Sequence, residues 1–407
     1  HGVARTVRIR TDEQRQQDLV KIEKYRQLDQ EVQARAKSSD FSPETFELST
    51  RLLRLNPEYY TIWNVRRRCI ISHSLSALSP GSCCLMASRS SSQTPTTSLS
   101  TADSSKQSCH ETPCSPKCPP TGKPGTTAED DAKISAPTAS QTQDLQVLKN
   151  ELLFTIPLLM EFPKCYWIWD HRVWALEQTI TRLPAQMARA VWEEELGLDS
   201  KMLMRDRRNF HAWGYRQKLT ARLESAQLGG TSMAESEFEY TTRMIQSDLS
   251  NFSAWHRRAM LIPRILSERK TNESGRKSFF EGEMELVHNA LNVGPEDQSL
   301  WYYHQFLMLS IVSTDPKKSF LPNASLEYRC KIIDEESEFI NDLLEDYDDV
   351  KWIYEALLEY APYKQRIEGR SLTDEEKSTI GDLVCKLEKL DPMRNGRWKD
   401  VRKTYGL

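Results

Sequence analysis

The chain has 407 residues, of which 28% are charged, and its formal net charge at pH 7 is −3. This length suits two or three ordinary domains or one array of repeats. The near balance of charge excludes a strong electrostatic bias toward nucleic acid or a membrane surface. The longest apolar run, "LLFTIPLLM" (152–160), is far shorter than the roughly 20 residues that span a bilayer. We therefore expect no membrane span and no nucleic-acid partner.

The cysteines and the first residues indicate a cytoplasmic setting. The nine cysteines lack the spacing of a disulfide framework, and six of them lie between Cys69 and Cys118. The opening "HGVARTVRIRTDEQRQQ" is basic and polar, without the apolar core of a signal peptide. A reducing, cytoplasmic environment is the expectation.

A tryptophan-centred repeat follows an N-terminal extension and helix at residues 1–39. Its copies are "YYTIWNVRRR" (59–68), "CYWIWDHRVW" (165–174), "NFHAWGYRQK" (209–218), "NFSAWHRRAM" (251–260), "QSLWYYHQFL" (298–307) and a divergent "VKWIYEALLE" (350–359). Four copies read aromatic-x-x-Trp-x-x-Arg, a spacing that places the three side chains on one helix face. The fifth copy has His304 in place of the arginine.

A second, amphipathic helix precedes each tryptophan helix. In "EGEMELVHNALNV" (281–293), apolar residues recur at i, i+3 and i+7, and the breaker "GPED" (294–297) follows. Successive tryptophans from Trp169 onward are 44, 42, 46 and 51 residues apart, unlike the 34-residue tetratricopeptide period. The pattern predicts an all-α solenoid of helical hairpins that bury their faces by stacking on one another.

The aromatics and arginines of the repeat are predicted to hold this array together. Tryptophan fills the space between hairpins, and arginine stacks on an aromatic ring or pairs with a carboxylate. Base stacking is the alternative, but no basic stripe accompanies the pattern. The predicted core residues are Trp63, Trp169, Trp213, Trp255, Trp301, Arg172, Arg216 and Arg258.

One long segment interrupts the array between the first repeat, at 40–71, and the remaining hairpins, at 142–362. Residues 72–141 contain 34 Ser, Thr or Pro residues among 70, a composition that predicts a disordered insertion. An alternative is translated non-coding sequence from a faulty gene model, absent from the mature protein. A zinc site at Cys109, His110, Cys114 and Cys118 is a third reading, although the spacing matches no usual ligand pattern. Residues 363–407 are predicted to form a C-terminal helical cap.

The quoted repeats, with "PKCYWIWDHR" and "EDQSLWYYHQFL", closely resemble those of protein prenyltransferase α subunits. The resemblance covers residues 1–71 and 142–407 in order, including the opening "HG" and the ending "KLEKLDPMRNGRW" (386–398). The N-terminus passes almost directly into "DEQRQQDLVKIEKYRQLDQEVQ", which is most similar to the Rab geranylgeranyltransferase (type II) branch.

This resemblance implies a fold and an activity. The fold would be a right-handed α–α superhelix, a crescent of hairpins around an α–α barrel β subunit that holds the catalytic zinc. The heterodimer would transfer geranylgeranyl from geranylgeranyl diphosphate to C-terminal cysteines of Rab GTPases presented by a Rab escort protein. This chain would hold no metal. Consistently, its eight histidines are scattered in sequence, with no zinc-type spacing outside the insertion.

The resemblance also implies site residues. Lys164 follows Pro163 where a tryptophan helix begins, so its ammonium and the free N–H groups of the helix could face one anion. In the family, the matching lysine contacts the diphosphate, and the residues that match Tyr166 and His211 lie nearby at the αβ junction. Lys164 would stabilise charge on the leaving oxygen, with hydrogen bonds from the other two. The alternatives are a solvated lysine and two packing residues.

Two smaller hypotheses concern His1 and an acidic run. His1, at the terminus, would reach toward the partner's zinc; the alternative is a frayed end. "DEESEFINDLLEDYDDV" (334–350) holds nine Asp or Glu residues and is read either as a solvated face or as a docking edge for a basic partner surface.

Two rival functions stay open. One is a non-enzymatic solenoid scaffold that binds peptides, although neither the period nor the groove-lining pattern of such arrays is present. The other is the shared α subunit of farnesyltransferase and type I geranylgeranyltransferase, which the identity of the bound β subunit would distinguish.

Overall fold

The computed structural model describes residues 11–77 and 136–407. The regular elements in these two stretches are all helical, which confirms the predicted all-α class. The chain divides into two compact units. The first runs to Ile156 and includes Trp174–Pro184, and the second comprises Pro157–Val173 and Ala185–Leu407.

The described helices form a series of hairpins between an N-terminal helix and C-terminal cap helices. Successive pairs from α2/α3 to α12/α13 are each joined by a short turn. In chain order the helices are α1 (Asp12–Lys37), α2 (Pro43–Leu55), α3 (Tyr60–Cys69), α4 (Ala139–Glu161), α5 (Tyr166–Arg182), α6 (Ala185–Arg205), α7 (Phe210–Leu223), α8 (Ala234–Ser247), α9 (Phe252–Glu268), α10 (Glu273–Leu291), α11 (Gln298–Val312), α12 (Leu326–Asp346), α13 (Lys351–Tyr360), α14 (Tyr363–Glu368), α15 (Asp374–Leu390) and α16 (Asn395–Tyr405).

The tryptophan of each repeat closes the turn of its own hairpin. Each indole N–H donates a hydrogen bond to the backbone carbonyl six residues earlier, at 2.6–3.0 Å. A buried tryptophan needs a partner for this donor, and the turn supplies a carbonyl that no helix hydrogen bond uses. All five indoles are at most 5% exposed: Trp63, Trp169, Trp213, Trp255 and Trp301.

A buried arginine–glutamate pair joins each of the first four hairpins to the next. The arginine lies on the tryptophan helix, and the glutamate lies on the first helix of the following hairpin. In each pair the Nε and Nη2 atoms of the arginine donate to different oxygens of the carboxylate, the bidentate geometry that makes such pairs strong. The pairs are Arg66–Glu151, Arg172–Glu195, Arg216–Glu237 and Arg258–Glu283.

Three of these arginines, Arg66, Arg216 and Arg258, also stack on aromatic rings. The guanidinium carbon of Arg216 lies 3.5 Å from the ring centroid of Tyr240, and that of Arg258 lies 3.8 Å from Phe238. The sequence left open whether arginine would stack or pair, and in the structure it does both. Stacking covers the face of the guanidinium that the carboxylate leaves uncovered.

The leading aromatic side chains of the four complete repeats are exposed, although the spacing predicted that they pack beside the buried tryptophan and arginine. Tyr60, Tyr166, Phe210 and Phe252 are 49–69% exposed, although they share a helix spacing with the buried tryptophan and arginine. Each is the first residue of its helix. No earlier helical turn covers a side chain at that position, so these rings line the hairpin ends and do not fill the core.

The described chain extends into both ends of the predicted insertion. Ile70–Ser74 forms a π-helical turn that continues α3, and Ser76 donates hydrogen bonds to Asp144 at 2.6 and 2.8 Å. Helix α4 already begins at Ala139. Residues 78–135, with the cysteine and histidine cluster at 109–118, lie outside the described residues.

The C-terminal helices cover the last hairpin. Trp398 of α16 is fully buried and packs with Val384 and Leu387 of α15 and with Tyr354 and Leu358 of α13. Its indole donates a hydrogen bond to the carbonyl of Asp391. Because a terminal repeat has no further neighbour to stack on, these helices supply the missing apolar surface.

We expect Arg258→Met to lower the free energy of unfolding by about 3–5 kcal/mol, since it leaves the Glu283 carboxylate buried without its cation. The matched control is Arg269→Met, which removes a guanidinium that pairs with Glu235 at 2.7 Å where both side chains are about half exposed. Its cost should stay below about 1 kcal/mol. Urea denaturation of both variants measures the difference, and equal costs would contradict the structural role of the buried pair.

Candidate functional site

Lys164 lies in the turn between α4 and α5. The carbonyl of the preceding Pro163 accepts two hydrogen bonds of 3.0 Å, from the indole of Trp169 and from the side-chain amide of Asn209. The amide N–H of Cys165 closes the turn onto the carbonyl of Phe162. The backbone that carries Lys164 is therefore held by its own hairpin and by the next one, while the lysine side chain is exposed.

Asn209 connects this turn to His211. It is the N-cap residue of α7, and its side-chain oxygen accepts a hydrogen bond from the His211 amide N–H at 3.0 Å. The same side chain donates to the carbonyl of Pro163. One asparagine thus fixes the start of α7 relative to the Lys164 turn.

The structure brings two of the predicted site residues together and places the third beside them. Tyr166 is the first residue of α5 and is half exposed, and His211 is the second residue of α7 and half buried. Their ring centroids are 6.4 Å apart. Lys164 lies two residues before Tyr166, and within residues 11–77 and 136–407 its ammonium has no carboxylate partner.

This arrangement suits an anion. An ammonium, a phenol and an imidazole lie at neighbouring hairpin ends, close to the N-terminus of α5, where the helix dipole is positive. Phe210 precedes His211 and is 69% exposed, so a phenyl ring stands where a hydroxyl would add one more donor. The site offers donors and positive charge but remains open to solvent on one side.

An apolar groove lies farther along the second unit. Phe252, His256, Met260, Tyr302 and Phe306 line it, and its volume is about 340 Å³. The rings of Phe252 and His256 stack at a centroid distance of 5.9 Å. Exposed aromatic surface of this kind is typical of a face that another protein covers.

The nine acidic residues between 334 and 349 do not all lie on one solvent-exposed face. Glu336 is buried on α12, while the other eight Asp and Glu residues between 334 and 349 are exposed. Burial raises the pKa of Glu336, but hydrogen bonds from His288 and His304 outweigh it and lower the pKa to about 2. Its carboxylate is therefore ionised at neutral pH.

His288, His304 and Glu336 form the one cluster with metal-ligand geometry in the part of the chain that the structure describes. Sequence reasoning missed it because three different helices contribute the residues. The available signal was His304, which replaces the arginine of the other repeats. His1 lies outside the described residues.

No helix among the described residues is long and apolar enough to cross a membrane.

A family model described as the protein prenyltransferase alpha subunit repeat matches five segments of the chain. They are residues 42–72, 148–179, 192–223, 234–265 and 280–311. Each segment covers the turn and most of both helices of one tryptophan-centred hairpin, from α2/α3 to α10/α11.

Full-length relatives carry the name geranylgeranyl transferase type-2 subunit alpha. The protein from Schizosaccharomyces pombe is 28% identical, over 99% of this chain and 97% of its own length. The protein from Candida albicans is 26% identical, over 98% and 96%. The protein from Dictyostelium discoideum is 30% identical, over 98% of both chains. This chain belongs to the protein prenyltransferase alpha subunit family.

The names of these relatives confirm the predicted similarity to the type-2 branch. A solved structure, Candida albicans protein geranylgeranyltransferase-I complexed with GGPP, is also similar to this prenyltransferase alpha subunit. It covers 94% of this chain and 91% of its own, with a TM-score of 0.54 and 16% identity. At that identity the likeness establishes the helical-hairpin fold alone.

Asn209 is a residue that sequence reasoning missed. Its signal was the recurrence of asparagine before the aromatic in "NFHAW" and "NFSAW". In the second copy, Asn251 likewise caps α9 and donates to the carbonyl of Arg207 at 2.9 Å. In this chain the same contact thus links two successive pairs of hairpin turns.

We expect Asn209→Ala to loosen the Lys164 turn. The loss of the cap should lower the free energy of unfolding by about 1–2 kcal/mol. Because the Pro163 carbonyl loses one of its two donors, the amide of Cys165 should exchange with solvent faster. Native-state hydrogen exchange measures this.

The control is Asn251→Ala, which removes the equivalent cap and turn contact one hairpin later. It should cost a similar free energy of unfolding and leave the exchange of Cys165 unchanged. Equal acceleration in both variants would mean that Asn209 has no specific role at this turn.

Proposed function

We propose that this chain is the α subunit of a heterodimeric Rab geranylgeranyltransferase. The enzyme transfers geranylgeranyl from geranylgeranyl diphosphate to the C-terminal cysteine thiols of Rab GTPases. The observation that carries this proposal is the similarity to the Dictyostelium discoideum type-2 alpha subunit, at 30% identity over 98% of both chains.

Activity in this proposal requires a β subunit. Alkylation of a thiol needs a metal or base that forms the thiolate, and the β subunit supplies the zinc for it. The open side of the Lys164 site and the exposed apolar groove support a partner surface at these hairpin ends. Zinc bound by the partner would lower the pKa of the attacking thiol there.

Lys164, Tyr166 and His211 are proposed to act on the diphosphate side of the shared site. The ammonium of Lys164 would stabilise negative charge that develops on the leaving oxygen. Tyr166 and His211 would donate hydrogen bonds to the same group, and their 6.4 Å ring separation allows both to reach one diphosphate. Asn209 would act as a positioning residue through the Pro163 carbonyl.

The remaining partners follow from the same proposal. A Rab escort protein presents the substrate, and the eight exposed carboxylates between 334 and 349 are a candidate docking edge for a basic surface. The complex is proposed to work in the cytoplasm.

The two rival functions have weaker support. The similar type-I structure is 16% identical, which speaks for the fold and not for the shared α subunit. Two hydrogen bonds to the Pro163 carbonyl hold the turn that carries Lys164. A peptide-binding scaffold would give this turn no function.

The first test is the identity of the β subunit. The tagged full-length chain should form a stoichiometric complex with a zinc-containing type-2 β subunit in recombinant coexpression, and only this pair should prenylate a Rab protein in the presence of escort protein. Preference for the farnesyl or type-I β subunit would move the substrate to other C-terminal cysteine motifs. Binding to none of them would support the scaffold.

Within that heterodimer, Lys164→Ala should slow single-turnover prenyl transfer by at least about tenfold. A hydrogen bond to a charged group contributes about 1.5–3 kcal/mol, and 1.4 kcal/mol corresponds to a tenfold change in rate. Assembly with the β subunit should not change, because the exposed side chain of Lys164 is not part of the hairpin core.

Lys201→Ala is the matched control, since Lys201 is an exposed lysine on the first helix of the next hairpin. Its rate constant should equal that of the wild type. An unchanged rate for Lys164→Ala would remove Lys164 from the site while leaving the subunit assignment intact.

A further inference from the structure

We propose that His288, His304 and Glu336 form a binding site for a divalent transition metal, with Zn²⁺ as the best fit. The residues come from three consecutive helices, α10, α11 and α12. The Nε2 atoms of His288 and His304 each lie 2.8 Å from the same oxygen, Oε2 of Glu336. All three candidate ligand atoms lie within 4.8 Å of one another.

The ligand set matches the chemistry of zinc. Two imidazole nitrogens and one carboxylate oxygen are a common three-ligand set for Zn²⁺, which leaves a fourth position for water. Bonds of about 2.0–2.2 Å to a tetrahedral ion separate its ligands by about 3.3 Å. The present 2.8 Å contacts therefore need to open by only about half an ångström, a small rotation of the side chains.

Neighbouring residues hold both imidazoles in place. The Nδ1 atom of His304 pairs with the hydroxyl of Tyr360 at 2.7 Å, so its Nε2 atom is the one left for a metal. The ring of His288 stacks on Phe339 at a centroid distance of 3.9 Å. Such outer contacts fix the orientation and tautomer of a metal-binding histidine.

The repeat pattern supplies an independent argument. At the four preceding junctions, the buried glutamate pairs with an arginine, which always carries a positive charge. At this junction His304 stands in place of the arginine, so the buried Glu336 carboxylate faces two imidazoles and no guanidinium. A divalent metal held by all three residues would supply the fixed positive charge that arginine supplies at the other junctions.

The exposure of the three side chains indicates how a metal would reach the site and what it would do there. The side chain of His304 is fully buried and that of Glu336 is 7% exposed, whereas that of His288 is 24% exposed. A metal would therefore enter past His288, and its open position would lie on that side. It would connect two adjacent hairpins at the position where the arginine is missing and stabilise the end of the array.

The test uses the untagged full-length chain after removal of metals with a chelator. One equivalent of Zn²⁺ should bind, and saturating Zn²⁺ should raise the melting temperature by several degrees, because a ligand that binds only the folded state stabilises it. His288→Gln should weaken binding by at least about tenfold and abolish the shift in melting temperature. In the reconstituted heterodimer, this variant should contain one zinc fewer than the wild type.

Two further variants separate the site from other binding. His256→Gln, which removes an exposed histidine on α9, should bind Zn²⁺ like the wild type. Tyr360→Phe keeps the core packing but removes the hydroxyl bound to His304, and it should weaken binding about tenfold. Co²⁺ as a probe should give the weak visible bands of nitrogen and oxygen ligands, without the strong near-ultraviolet band of thiolate.

Several results would overturn the proposal. They are the absence of saturable binding, equal affinity in the wild type and His288→Gln, and a Co²⁺ spectrum dominated by thiolate, which would assign the metal to cysteines. Each would leave His288, His304 and Glu336 as a hydrogen-bonded cluster without a metal.

Discussion

The buried arginine–glutamate pair is the interaction on which the hairpin array depends. Removing the two charges from water costs several kcal/mol for each ion. The attraction between them offsets this desolvation penalty only when the geometry is bidentate and further hydrogen bonds are made. Arg258 shows how this is met: its guanidinium binds Glu283 and the hydroxyl of Thr242 and stacks on Phe238. A misplaced hairpin would leave both charges unpaired, so the pair selects one register between neighbouring repeats.

The repeat geometry in turn creates the candidate site. The turn between α4 and α5 is held by an indole from its own hairpin and by Asn209 from the next. The candidate side chains therefore stand on backbone that the packing of two hairpins defines. In such a fold, the core residues and the site residues of one short motif have separate tasks: the tryptophan and arginine face inward, and the first-turn residues face out.

Much of this architecture was predictable because it repeats. The period of the tryptophans and the breakers between helices indicated hairpins, and the pairing of arginine with a carboxylate was expected. The partner glutamates were not identified, because each lies 21–25 residues away at three of the junctions, on a helix whose rotation the sequence does not specify. The exposure of Tyr60, Phe210 and Phe252 was missed for a similar reason, since helical spacing ignores where a helix begins.

The site was predictable only in part. The positions of Lys164, Tyr166 and His211 at helix starts followed from the motifs, and the proximity of Tyr166 and His211 is consistent with a common site. The cluster at His288 was invisible to spacing rules because its members are brought together by tertiary packing. The sequence feature that pointed to the cluster was His304, which stands where four other repeats have arginine.

The separation of Arg66 from Glu151 has an entropic consequence. These partners are 85 residues apart in sequence, whereas Arg172 and Glu195 are separated by 23. Closing a flexible chain costs free energy that grows only with the logarithm of its length, so this difference amounts to about 1 kcal/mol. Residues can therefore be added or removed between two paired hairpins at a small cost in folding free energy.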